Sequence, residues 1–275
     1  VAAGAGDLDP VRLLATLGRH RALIRQIARR EVEGRYRGSS LGVFWSVVSP
    51  LVQLALYTFV FGVVFQARWV ESASASLFDF ALVLFCGFLA FTFFAECASR
   101  AVTLVVSVPN YVRKVVFPLE ILPPALLAST LFHTAAGLLV LLAARAVARH
   151  GLPPTLLLLP VAALPLLLLS LGAAYFLASL GVFVRDLGFV VGLLLQVATF
   201  GTPIFYPPEA VPPAFRALVV LNPLAAITDD FRRVVLWGRP PDWPRLLAWT
   251  AVTVVVALLG HAWFLKTKKA FADVM

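Results

Sequence analysis

The chain has 275 residues, of which 61% are hydrophobic and 13% charged, and it carries a net charge of +9. A soluble domain is about half apolar and about a quarter charged, so this composition excludes an ordinary soluble fold, and the absence of strand-like alternation excludes an outer-membrane barrel. Basic residues scattered between long apolar runs suit contact with anionic lipid and orientation in a membrane better than nucleic acid, and we read an all-α polytopic membrane protein.

Asp9-Pro10 is a helix start, an acidic N-cap followed by Pro at the first helical position. From there residues 10–33 form an amphipathic interface helix. Leu13, Leu17, Leu23, Ile24, Ile27 and Ala28 share one arc, and Arg12, Arg19, Arg25, Arg29 and Arg30 the other. That division suits a helix lying in the headgroup plane; a solvated helix packed on a soluble partner would show it too. This charged segment is far longer than the basic start of a secretory signal.

Six apolar stretches follow over residues 41–265, each near the ~20 residues that cross a bilayer core. The first covers 41–65, the second 80–106, the third 121–147 and the fourth 156–184. The fifth begins near Leu187 and breaks at Thr202-Pro203, and the last covers 246–265. Between the fifth and sixth, residues 203–243 are too polar and proline-rich for a lipid-facing span and too apolar for a loop. Irregular backbone at membrane depth is tolerated only against protein or a water-filled cavity, so pieces such as 212–221 and 224–237 are expected to be re-entrant or interfacial helices of an outer gate.

Eight of the 23 basic residues precede residue 40, which puts the amino end in the cytoplasm. Six spans return the carboxyl end, with Lys266, Lys268 and Lys269, to the same side. Arg145, Arg149, Arg232, Arg233, Arg239 and Arg245 then fall outside, against the rule. Cys86 and Cys97 lie in one apolar run and read as small hydrophobes, and His133 and His261 as hydrogen-bonded interior groups rather than metal ligands. Glu96 and Arg100, one turn apart in the second span, form an intramembrane pair in the favourable order.

Four blocks in order carry a family resemblance. They are Arg35-Tyr36-Arg37-Gly38-Ser39 with Leu41-Gly42, Trp45 and Pro50; FPLEILP at 117–123; Arg185-Asp186-Leu187; and the PIFYP…VP…LNPL…FR run from Pro203 to Arg232. Together they resemble permeases of ABC-2 type polysaccharide exporters, which move O-antigen, capsule or teichoic-acid chains. The resemblance implies a homodimer of six-span subunits in the bacterial inner membrane, with two ABC ATPase subunits on separate chains. This chain has no G-x-x-x-x-G-K-[ST] loop, so no cofactor is expected in it, and ATP and Mg belong to the ATPase partners. The amino-terminal helix and residues 107–118 would touch that partner, the latter as a coupling segment with Tyr111, Arg113, Lys114, Phe117 and Glu120.

A glycan linked to polyprenyl pyrophosphate offers a phosphate handle and a sugar chain. Guanidinium suits bidentate phosphate contact, so Arg35, Tyr36 and Arg37 are candidates for the lipid pyrophosphate and the cytoplasmic gate. Arginines that snorkel to ordinary anionic lipid would look similar. Sugars slide along aromatic faces, and the resembling transporters line their channel with aromatics. Phe44, Trp45, Tyr57, Phe61, Phe65, Phe200, Phe205 and Tyr206 are therefore candidates for the glycan path, although packed or lipid-facing aromatics are also common in membrane helices.

Two other classes compete. A membrane-embedded polyprenyl-lipid glycosyl- or phosphotransferase would gather acids or histidines at one depth, whereas the adjacent acids here, Asp229-Asp230, fall on the outer side. An ion-coupled carrier would want midplane charge or an inverted repeat. An ABC-2 exporter of a smaller lipid or drug shares the architecture.

Overall fold

The computed structural model describes residues 10–64, 77–109, 117–149 and 151–274, and among these the secondary structure is helical, without strands. The amphipathic segment is two helices, α1 (Pro10–Arg19) and α2 (Arg21–Tyr36), rather than one. His20 leaves helical geometry at φ −103° and ψ 14° just after Gly18, a weak helix former, and the bend lets α2 pack on a later helix. Arg35 and Tyr36 are consequently the last turn of α2, beyond the expected end at residue 33. Gly38 and Gly42, at φ 84° and 50°, then turn the chain into α3 (Trp45–Tyr57). Pro50 lies inside α3, which continues as a π-helical stretch, Thr58–Val64.

The remaining long helices are α4 (Leu77–Leu104), α5 (Leu122–Arg149), α6 (Leu159–Phe183) and α7 (Leu187–Gly201). After a proline-rich run come the short α8 (Arg216–Val220), then α9 (Pro223–Val235), α10 (Trp243–Thr267) and a final turn, α11 (Phe271–Val274). Five segments among the described residues are long and apolar enough to cross a membrane: Gly42–Phe61, Phe78–Leu104, Leu119–Ala148, Pro154–Phe183 and Trp243–Val274. The sixth expected stretch is α7, whose 15 residues rise only about 22 Å, short of the ~30 Å hydrocarbon core. The region between α7 and α10 folds as short helices, α8 and α9, which overlap the expected pieces 212–221 and 224–237.

Helices α4, α6 and α10 form the tightest part of the bundle, with α6 in the middle. Lipid offers helices no hydrophobic reward for association, so they approach through small residues. A Cβ at Gly260 would meet the Gly172 carbonyl oxygen at 2.3 Å, and one at Gly181 would meet the Val102 carbonyl oxygen at 1.9 Å. The opposite extreme is α3 and α7. Phe44 (66%), Val52 (59%), Phe189 (83%) and Leu193 (63%) are largely exposed, leaving two apolar faces uncovered by this chain.

The region between α7 and α10 is pinned by polar side chains. Arg232 on α9 is 1% exposed and donates to the carbonyls of Val83, Pro203 and Ile204 at 2.9–3.1 Å. Gly87 leaves room for that guanidinium, since a Cβ there would stand 2.4 Å from Arg232 Nη2. Asn222 caps α9 through the Leu224 N–H (2.9 Å) and also donates to Thr202 Oγ1 at 3.0 Å and the Gly201 carbonyl at 3.2 Å, closing the end of α7. Arg245 on α10 holds Asp229 (2.5 Å) and Asp230 (2.9 Å) of α9.

Gly181→Ala is expected to lower the melting temperature of the purified protein, because overpacking against main chain costs about 1–3 kcal/mol. Gly192→Ala, where nothing lies within 4 Å of the added methyl, is expected to leave it unchanged. Equal melting temperatures for the two variants would contradict the close α4–α6 approach.

Candidate functional site

The candidate site sits where α2 crosses α4 and α5. Glu96 Oε1 accepts from Arg35 Nη1 and, at 3.2 Å, from Arg100 Nη1, while Arg100 Nη2 donates to Glu31 Oε2. A continuous ionic chain thus runs Arg35–Glu96–Arg100–Glu31, with its two ends on α2 and its two inner members one turn apart on α4. Tyr36 adds a tie to α5, its hydroxyl lying 2.8 Å from His133 Nδ1. Burial pushes the Tyr36 phenol above its ordinary range, with Arg35 opposing, so Tyr36 is a neutral hydrogen-bonding group at physiological pH.

The phosphate candidates and the expected intramembrane pair, separate in sequence, therefore form one cluster. Side-chain exposures of 24% for Glu96 and 32% for Arg100 leave that pair partly uncovered by the bundle, and pairing lowers the cost of charge in an apolar helix. An open cavity of about 610 Å³ adjoins the cluster, bounded by Arg30, Arg35, Arg37 and Arg100 together with Glu31 and Glu33. Arg37, the C-cap of α2, is exposed. Four guanidiniums around one opening can take a polyanion by bidentate contacts, in exchange for the two carboxylates that now occupy Arg35 and Arg100.

The aromatic candidates divide. Phe61 stacks on Phe205 at 5.4 Å with rings 17° apart, Tyr57 lies 6.3 Å from both, and Phe200 lies 6.0 Å from Phe205. Phe88 of α4, 5.1 Å from Tyr57, joins the group. Tyr206 donates its hydroxyl to the Phe200 carbonyl at 2.7 Å, closing the turn that brings Phe205 to this cluster. Phe44 is exposed just before α3, and Trp45 lines a second, polar cavity beside Arg35. Phe65 lies outside the described residues.

Of the coupling candidates, Tyr111, Arg113 and Lys114 also lie outside the described residues. Phe117 packs at the edge of the core, and Glu120 is tied to Lys268 at 3.1 Å, while its carbonyl accepts from the Tyr175 hydroxyl at 2.8 Å. Glu120 therefore joins the start of α5 to the end of α10 and to α6. Among the described residues no group of acids, histidines and cysteines could hold a metal.

Sequence reasoning missed Glu31, His133, Phe88 and Lys268 as partners in these groups. Glu31 alone carried a signal, an acid within the arginine-rich helix. The other three stand far along the chain from what they touch, at separations that no periodicity reports.

Residues 22–236 match the ABC-2 type transporter family, and the chain belongs to it. It is similar to the O-antigen export system permease protein RfbA of Myxococcus xanthus, 28% identical over 267 residues, covering 96% of this chain and 99% of that one. Two proteins of the same description from Klebsiella pneumoniae are each 24% identical, one over 90% of this chain and 93% of its own length, the other over 96% and 99%.

Partly exposed ion pairs contribute about 0.2–1 kcal/mol each, so Glu96→Gln, which weakens two of them, should free α2 from α4 without unfolding the bundle. Hydrogen exchange over residues 21–36 is expected to quicken by about 2- to 30-fold, with exchange in α6 unchanged. Unaltered exchange in α2 would remove the ionic chain as its tether.

Proposed function

We propose that this chain is the permease subunit of an ATP-driven exporter that moves polysaccharide of the O-antigen class, carried on polyprenyl pyrophosphate, across the bacterial inner membrane. The observation that carries this is the cavity bounded by Arg30, Arg35, Arg37 and Arg100, in a chain aligned over 96% of its length with a relative named for O-antigen export. In this reading Arg35, Tyr36 and Arg37 receive the pyrophosphate at the cytoplasmic gate. Glu96 and Arg100 hold the gate's resting geometry. The glycan passes along the cluster of Tyr57, Phe61, Phe88 and Phe205.

The subunit works as a homodimer with two ABC ATPase subunits, which bind ATP and Mg. The uncovered apolar faces of α3 and α7 support a second copy packed there around the path. Both termini are cytoplasmic and six spans are made, with α7 completed by the re-entrant α8 and α9 as the outer gate. Residues 107–118 and the amino-terminal helices contact the ATPase, and Glu120 orients that segment through Lys268.

The transferase alternative is weakened by the state of the acids. Asp229 and Asp230 are both held by Arg245, Glu96 by Arg35 and Arg100, and Glu120 by Lys268, which leaves these acids engaged rather than poised as a catalytic pair. An exporter of a smaller lipid or drug would share the bundle and is separated from this reading by its response to glycan.

ATP hydrolysis by this chain in lipid is expected only with its ATPase partner, and to change when polyprenyl-linked glycan is added. A complex that hydrolyses ATP and ignores the glycan, yet responds to a bare lipid or a drug, would overturn the polysaccharide assignment. Replacing Tyr57, Phe61 and Phe205 together by Ala should slow glycan export while leaving dimer recovery intact; unchanged export would remove the aromatic path.

A further inference from the structure

Beside the arginine-lined opening, and sharing Arg35 with it, lies a second cavity of about 380 Å³ between α3, α4 and α5. Small-molecule pockets run from about 300 to 1,000 Å³, so this one has room for a sugar ring. We propose that it is a sugar subsite that holds the first, lipid-proximal residue of the glycan, an inference that rests on the pyrophosphate reading above.

The lining is unlike that of the surrounding apolar helices. Gln53 comes from α3, Thr92 from α4, and His133 and Thr134 from α5, with Trp45 as an aromatic wall. Thr92 and Thr134 each donate their proton to a carbonyl of their own helix, at 3.1 and 3.2 Å, so their oxygens remain as acceptors. The Gln53 side chain, half-buried on α3, brings two donors and an acceptor. His133 is held at Nδ1 by Tyr36, while Nε2 is buried and without a partner. Polar groups within apolar spans are unfavourable unless something satisfies them.

The chemistry of the groups selects the ligand. An apolar tail would leave the amide and imidazole unpaired. A bare anion would have Arg35 as its cation but no use for the hydroxyl acceptors. Vicinal sugar hydroxyls both donate and accept, which matches the mixed set, and the apolar face of a sugar ring suits the Trp45 indole. Position agrees with the covalent order of the ligand. In a polyprenyl-pyrophosphate glycan the first sugar is joined to the phosphate farther from the lipid, so a phosphate on Arg35 delivers that sugar to the mouth of this cavity. The subsite would let the permease distinguish a loaded carrier from an empty one.

The test uses the full chain in lipid nanodiscs and two probes, undecaprenyl pyrophosphate and undecaprenyl pyrophosphate bearing one N-acetylglucosamine, with binding followed by tryptophan fluorescence and by a label-free method. The sugar-bearing probe is expected to bind about ten-fold tighter, the equivalent of one or two net hydrogen bonds. Gln53→Leu and Thr92→Val should each shrink that preference and leave the affinity for the bare probe unchanged. Equal affinities in the unaltered chain, or a preference that survives in both variants, would overturn the subsite. Bare-probe binding that is indifferent to Arg35→Ala would overturn the pyrophosphate reading instead, and binding of neither probe would overturn both.

Discussion

The Arg232 guanidinium organises the part of the molecule between α7 and α10, which has no regular span. A cation withdrawn from water is tolerable only with its hydrogen bonds replaced, and here three main-chain carbonyls replace them. Two of those carbonyls, on Pro203 and Ile204, lie just past the end of α7, in backbone that has left the helix and has no helical donor. One side chain therefore answers two needs, its own desolvation and the open backbone of a broken helix. The geometry reaches further. Gly87 must stay small, α9 is fixed against α4, and the turn after Ile204 presents Phe205 to Tyr57 and Phe61. The aromatic group thus exists because the backbone break beside it is satisfied.

The same consideration bears on the charge distribution. Of the six arginines expected on the outer side, Arg145, Arg232, Arg233 and Arg245 are not ordinary loop charges. Arg145 donates to the Gly151 and Leu236 carbonyls, Arg233 to the Pro240 carbonyl, and Arg245 to two aspartates. The orientation rule counts basic residues in short loops and near span ends. Arginines consumed by internal hydrogen bonds report on packing instead of on orientation.

Two kinds of adhesion divide the molecule. The α4–α6–α10 bundle is held by backbone contact at glycines, which admits little adjustment. The α2 helix packs Ile27 and Ala28 inward on α5 and is otherwise tied by partly exposed ion pairs to α4, each weak, and by one tyrosine–histidine bond to α5. The basic cavity lies on that softer boundary, and the carboxylates that restrain α2 occupy the guanidiniums a phosphate would use. Ligand binding and release of α2 would then be one exchange of partners rather than two events, and α2 is the part read as facing the ATPase.

The six apolar stretches, the break at Thr202-Pro203, the short helices after it and the family were all legible in the order of residues, because hydropathy, proline placement and local motifs act over a few turns of chain. The bend at His20 and the extension of α2 through Tyr36 were not, since both are decided by what α2 packs against. Nor could the sequence join Arg35 to Glu96, Tyr36 to His133 or Phe61 to Phe205, pairs 61, 97 and 144 positions apart. Periodicity assigns a residue to a helix face, but which faces meet depends on crossing geometry set by small residues and buried polar groups elsewhere. The sequence by itself determined a helical membrane protein of the ABC-2 type with basic and aromatic candidates; only the tertiary structure decided which of them stand together, because contact between distant helices is a property of the packed bundle and not of any one helix.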